Sequence, residues 1–406
     1  MRTSLRILCS VLAVVALAPA VRAESLRTRL GNASQTVGIA GGSAFNALAD
    51  VIANTAARSI PNISGSAGFT YRYNKDLDVF ERSSDTLGPI FLERPDTLGR
   101  NKFNVNLSWT YVEFNQYDGQ DLGNLQGADP IVLRRTTGGT PVGFAANTLQ
   151  YRIGLQNNVS SISLTYGILD DLDVNLLLPL ISTSFHVGVT TQQVQTAGTD
   201  AVFAPDRGPA LNGGTGGTAF GVGDMLLRFK YRLEDIGYMR HALGLQFRLP
   251  SGDKANFQGT GDFEASPSYY ASTVIWGGRV EPYFNAAVDL NANDVAQSQA
   301  RYGCGVDLDV LRSFNVNFSF LGRSEFSREA PASDTSFLHL ASNGALVQEP
   351  LLGLNFGRND FFDASLGFRW AVWDRLMVFA NAIVPLNSSG LRNDTAIPTA
   401  GIEGTF

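Results

Sequence analysis

Along most of the chain, apolar and polar residues alternate with a period of two. The segments are about ten residues long, the length a tilted strand needs to cross a bilayer. Phe103, Val105, Leu107, Trp109 and Tyr111 alternate with Asn104, Asn106, Ser108 and Thr110. Leu227, Phe229 and Tyr231 alternate with Arg228, Lys230 and Arg232, and Val280, Phe284, Val288 and Leu290 with Glu281, Asn285 and Asp289. Tyr302, Cys304, Val306 and Leu308 alternate with Arg301, Gly303, Asp307 and Asp309. Phe314, Val316 and Phe318 alternate with Asn315, Asn317 and Ser319, and Phe362, Leu366, Phe368 and Trp370 with Asp363, Ser365, Gly367 and Arg369. Each segment offers lipid one apolar face and an aqueous lumen one polar face.

A soluble sandwich alternates in the same way, so the separators decide. Short turns (170–173, 234–238, 277–278, 311–313, 373–375) alternate with long polar connections (115–147, 190–219, 250–262, 326–359). That is the rhythm of periplasmic turns and extracellular loops. Tyr166, Tyr231, Trp276, Phe314 and Trp370 lie beside the short turns, where an interfacial aromatic girdle is expected. The prediction is an all-β fold: a transmembrane antiparallel β-barrel domain over residues 63–406, its 12 strands lying between 102 and 406, in the cell outer membrane and in contact with its lipid. Fourteen strands is the alternative, because Ile63 to Tyr73 also alternates and breaks the parity. The apolar phase also flips between Val159 and Ile162, which predicts a bulge or a hairpin at Asn157-Asn158.

The N-terminal region reads differently. Residues 1–23 have a basic start (Arg2, Arg6), an apolar core from Ile7 to Leu17 and the small-residue site Val21-Arg22-Ala23, the parts of a secretory signal peptide. In residues 24–62, Ser43 is a candidate N-cap, Phe45, Leu48, Val51, Ile52 and Thr55 follow helical spacing, and Pro61 marks the stop. This predicts one short amphipathic helix ahead of the barrel, placed as a plug in the lumen, in the periplasm, or on the membrane face. After residue 23 no apolar run reaches the length of a membrane-spanning helix; the run Leu176 to Ile181 is interrupted by Pro179.

Composition narrows the function classes. Charged residues are only 17% of the chain, Gly numbers 42, and the formal charge is −6, so there is no cationic footprint for nucleic acid. Once Cys9 leaves with the signal, Cys304 has no partner for an internal disulfide, and its phase faces lipid.

Several stretches resemble the outer-membrane proteins grouped as the MetA-pathway of phenol degradation family. They are Gly88-Pro89-Ile90-Phe91-Leu92-Glu93-Arg94 followed by Thr97-Leu98-Gly99, Tyr166-Gly167 before Leu172-Asp173, Gly223-Asp224, Leu249-Pro250-Ser251-Gly252-Asp253, and Pro385-Leu386-Asn387 with Gly390-Leu391-Arg392. The resemblance spans most of residues 63–406 and treats these as turn and rim motifs. It implies a barrel that helps small hydrophobic or aromatic compounds enter the cell, with no catalytic residues to carry over. The C-terminal Phe406, on an alternating last strand, resembles the signal read by the barrel assembly machinery.

Candidate chemistry lies on the inward phase. Arg152, Arg228, Lys230, Arg232 and Arg248 fall on the earlier strands; Glu264, Glu281, Asp289, Asp307 and Asp309 fall on the later ones. Two readings follow. The lumen wall carries a transverse field that orients solutes, or these groups pair with neighbouring strands and the plug and simply satisfy a narrow interior. Of the histidines, His186 is placed on the inward phase, His241 at a strand start and His339 in a long loop. None has Ser and carboxylate partners at bonding register, so no catalytic residue is assigned. The acidic turn Asp170-Asp171-Asp173 reads as turn chemistry before calcium, no metal or cofactor is expected, and Gly213 to Thr218 reads as a flexible loop tip. The expected function is passive uptake of small hydrophobic solutes, with a non-conducting surface scaffold as the alternative.

Overall fold

The computed structural model describes residues 24–33, 42–66, 68–74, 79–82, 86–135, 141–194, 203–205, 212–311, 313–327, 336–340, 345–350, 358–373 and 375–406. The signal segment 1–23 and the side chain of His339 lie outside them.

Twelve antiparallel strands form the wall. They are β1 Phe103–Phe114, β2 Pro141–Leu169, β3 Leu172–Val194, β4 in two segments (Asn212–Val222 and Met225–Arg232), β5 Met239–Leu249, β6 Glu264–Thr273, β7 Val280–Asn291, β8 Gln299–Leu311, β9 Phe314–Glu325, β10 Asp360–Trp373, β11 Leu376–Pro385 and β12 Ile397–Thr405. Each pairs with the next, and β12 returns to β1 with Gly401 opposite Ser108 and Ile402 opposite Leu107. The seam is finished by two backbone bonds: Phe103 donates to the Phe406 carbonyl at 2.8 Å and Phe406 to the Phe103 carbonyl at 2.7 Å. Through the ring of twelve each strand thus has a partner on both sides, which is the condition for spanning lipid with strands, and only the upper segment of β4 pairs on one side alone, with β3.

The alternative of fourteen strands fails at its own segment. Residues 61–66 and 68–70 form no strand, and Tyr71–Asn74 pairs with Val79–Arg82 in a separate hairpin. The wall therefore begins at Phe103, where the twelve-strand reading starts it, and the part of the 63–406 domain ahead of Phe103 holds residues that lie inside, among them Leu87 and Leu98. The short turns gather at one end, the periplasmic end in barrels of this kind.

An apolar belt rings the outside. Leu107, Trp109, Tyr166, Leu243, Leu245, Phe284, Phe318, Leu366 and Trp370 are exposed, as is Cys304. A closed wall with such a belt is built for the outer membrane.

Strands β2 and β3 run far past the length a bilayer requires, and their polarity inverts on the way. On β3 the outward residues begin as Leu172, Val174, Leu176, Leu178 and Leu180, then become Ser182, Ser184, His186, Gly188 and Thr190. The inward ones begin as Asp173 and Asn175, then become Leu177, Pro179, Ile181, Phe185, Val187 and Val189. The same exchange on β2 explains the apparent phase flip at 157–162. The strand is continuous there, with neither bulge nor hairpin, and Val159 and Ser163 both face inward. Above the belt the outside meets water, and the inside meets a helix.

That helix is α2, Gly42–Ser59, preceded by α1, Leu26–Gly31, which Ser25 caps through the Thr28 N–H. Phe45, Leu48, Val51, Ile52 and Ala56 are buried in one cluster with inward side chains of β1, β2 and β3, including Phe114, Tyr151, Ile153, Phe185 and Val187. The Phe45 and Tyr151 rings meet edge to face, 5.3 Å between centroids. Of the three placements open from sequence, the structure shows the helix inside the wall. The glycine-rich run Gly213 to Thr218 is not a loop tip; it pairs with β3 as the upper segment of β4. Its lack of side chains makes room for α1, since a Cβ on Gly217 would sit 3.0 Å from Leu26 and Arg29.

Candidate functional site

Below α2, residues 60–66, 68–70 and 86–99 fold inside the periplasmic half, and Thr86, Leu87, Arg94, Asp96 and Leu98 are almost wholly buried. The stretch Gly88 to Arg94, expected at a turn or rim, is therefore interior. Its two layers bond to each other: Ser64 donates to the Ile90 carbonyl at 2.7 Å, and Arg94 Nη2 donates to the Gly68 carbonyl at 2.7 Å.

The wall grips this plug with charge. Lys230 Nζ donates to Ser66 Oγ at 2.8 Å and the Arg94 carbonyl at 3.2 Å, and stands 3.7 Å from Glu93. Arg232 reaches Asp96 at 3.3 Å, and Arg240 bridges Asp96 and Glu281. Arg369 binds Glu403 at 3.1 Å and donates to the Leu87 and Pro89 carbonyls at 3.1 and 2.8 Å. Asn285 exchanges two bonds with the Glu93 backbone, at 2.6 and 2.7 Å. The acidic turn holds the foot of the plug. Asp173 accepts from the Leu98 N–H at 2.7 Å and the Asp170 carbonyl from Thr97 Oγ1 at 2.6 Å, while Gly167 lies against Gly99, where any Cβ would collide.

Burial opposes the charge on Glu93, but Lys230 first and then Arg228, with bonds from Ser66 and Gly65, outweigh it and hold the carboxyl below its usual range.

Between α2 and this plug a cavity of about 210 Å³ remains. The helix end supplies Arg58 to Ile60, the plug supplies Ile63, Phe91 and Glu93, and the wall supplies Phe114, Phe361, Leu321 and a set of arginines. Arg58 and Arg248 share Glu264, at 2.8 and 2.9 Å. Arg301 holds Asp289 through two bonds, at 2.7 and 2.8 Å, and Arg392 pairs with Asp363. Arg228 donates to Gln246 at 2.8 Å and to the Ile63 carbonyl at 2.9 Å. Arg323 donates to the Arg58 carbonyl at 2.6 Å, with its guanidinium 3.8 Å from the Phe361 ring centre.

Of the residues singled out from sequence, Lys230, Arg232, Arg248, Glu264, Glu281, Asp289 and Asp307 are buried on the inward phase, and Arg228 is partly buried there. Asp309 shares that phase, half-buried near the short turns. Arg152 does not belong with them: it is exposed between buried Tyr151 and Ile153, because its stretch of β2 lies in the inverted upper region. His186 is likewise exposed outside, and His241 contacts Tyr269 through Nδ1 at 2.5 Å.

The opposed basic and acidic walls are not what forms. Arg301, Arg323 and Arg369 stand on later strands, and most lumen charges are paired with plug or neighbour. Arg301 and Arg369 had the inward phase in the sequence alternation, so the signal for them was present. Arg58, Glu93, Arg94 and Asp96 carried none, because nothing in period-two patterning marks a segment folded inside a barrel.

No family model and no curated protein sequence matches the chain. Solved structures do. An outer-membrane channel from Pseudomonas putida F1 aligns at 10% identity and TM-score 0.45, covering 77% of this chain and 98% of that one. The NanC porin aligns at 8% identity and TM-score 0.35 over 70% and 98% of the two chains. A FadL homologue of Pseudomonas aeruginosa aligns at 10% identity and TM-score 0.34 over 77% and 94%. At these values the likeness is one of barrel architecture.

Proposed function

We propose that this protein is an outer-membrane transporter for small, largely hydrophobic or aromatic solutes, whose path runs through a lumen filled at rest by α2 and by residues 60–66, 68–70 and 86–99. The resemblance to the phenol-degradation family and the channels among the solved structures agree with this reading. The observation that carries it is the retained cavity: protein interiors close-pack, so a void flanked by aromatic, aliphatic and charged groups in the middle of a barrel serves a passenger. Phe406, exposed beside the seam, is the residue we assign to the barrel assembly machinery.

The test is conductance and solute entry. In planar bilayers the full chain should be silent toward small ions, and deletion of residues 24–62 should produce steady current. In vesicles with a lipopolysaccharide outer leaflet, the full chain should speed the entry of benzyl alcohol. Silence in both proteins with no gain in entry would sink the transporter and favour a scaffold.

A further inference from the structure

We propose that residues 386–396, the loop between β11 and β12, form a lid through which solutes reach the cavity from the extracellular side, latched by the ion pair of Arg392 with Asp363. The proposal deepens the reading of the lumen as a solute path and rests on it. Its basis is the boundary of the cavity. Below lie Ile63, Phe91 and Glu93 of the plug, and to one side lies the end of α2, a helix seated in the large apolar cluster. Beside α2, at the end of the barrel away from the short turns, the cavity is bounded by Pro385, Leu391, Arg392, Asn393 and Ile397, which are the loop and its two strand ends.

This loop is fastened differently from the plug. Leu391 and Arg392 pair with Tyr117 and Gln116, a ladder of only two residues. The Asp118 N–H donates to the Gly390 carbonyl at 3.1 Å, the Gly390 N–H donates to Asp118 Oδ1 at 2.6 Å, and Asn115 and Asp394 bond at the exposed rim. Water can take over bonds at a rim, so opening there costs little, whereas Arg94 and Arg369 hold the plug from a buried interior. Two side chains of the loop face the cavity. Leu391 is fully buried in the apolar cluster with Phe114, Ile383 and Ile397, and Arg392 pairs with Asp363 and donates to Asn387. Lifting the loop withdraws Leu391 from its apolar seat, and a hydrophobic solute moving into that space restores the burial that is lost. A hydrated ion restores none of it, so the lid yields to one class of solute and stays shut to the other.

A reversible lock tests this. A Cβ on Gly119 would lie 3.5 Å from Ser388 Cβ, within the span of a disulfide. The pair Gly119→Cys, Ser388→Cys, in a chain whose outward Cys304 is replaced by serine, should tie the loop to the hairpin 116–121 when oxidised and release it when reduced. The readout is benzyl alcohol entry into vesicles with a lipopolysaccharide outer leaflet. Oxidation should slow entry about tenfold and reductant should restore it, while Arg392→Gln without the lock should quicken it about three- to tenfold, the reach of one charge-assisted bond. Equal entry through the oxidised and reduced chains, or Arg392→Gln no faster than wild type, would each overturn the lid and leave the transporter. No entry through wild type would remove both. If the cysteine pair does not fold or cross-link, Arg392→Gln decides alone.

Discussion

On β3 the five outward residues from Leu172 to Leu180 are apolar and the inward Asp173 and Asn175 are polar. A few residues further on, Ser182 to Thr190 face outward and Phe185, Val187 and Val189 face inward. The lower region is an inside-out protein in lipid, and the upper region is an ordinary soluble protein with α2 at its core. One strand serves both because alternation fixes only which residues share a face, while the medium on each side decides which face is apolar. A change of apolar phase in a barrel strand can therefore mark the membrane boundary.

The sharpest way to break this comparison is to attack the upper core. Phe45→Ala should cost about 3–5 kcal/mol of helix docking, seen as protease access to residues 24–62 while the wall keeps its resistance. Arginine scanning tests the boundary itself. Leu178→Arg should destabilise the barrel by about 2–4 kcal/mol in urea titrations in vesicles, near the value for a cation facing mid-bilayer. Ser184→Arg, further along the same face, should stay within about 0.5 kcal/mol. Equal costs would mean that the boundary is misplaced.

The smallest effect concerns the lower interior, which is held by charge. Because Glu93 has its carboxyl lowered in the folded state, its contribution is present above the unfolded value and is lost as pH falls through the folded one. The protection factors of residues 86–98 against hydrogen exchange should thus be high at neutral pH and fall on acidification through the folded-state carboxyl titration, with those of the α2 region unaffected.

The barrel was legible from period two and from turn spacing, since both report directly on a wall with a wet and an oily side. Twelve strands were legible between residues 102 and 406, while the fourteen-strand alternative rested on Ile63 to Tyr73, whose alternation does not belong to the wall. The lining was only partly legible. Arg152 was misassigned because inward was equated with polar, and that holds only below the boundary. The charges on residues 58–96 were invisible for a different reason: they meet Lys230, Arg240 and Glu264 across more than a hundred residues of chain, a pairing no local pattern encodes.

The chain passes from the buried stretch ending at Leu98 through Gly99 to Lys102 straight into β1, the strand that later clasps β12 through Phe103 and Phe406. With only those few residues between them, the foot of the buried segment is tethered at the mouth of the barrel beside the Phe103–Phe406 joint, so weakening that joint should loosen the lower interior together with the seam.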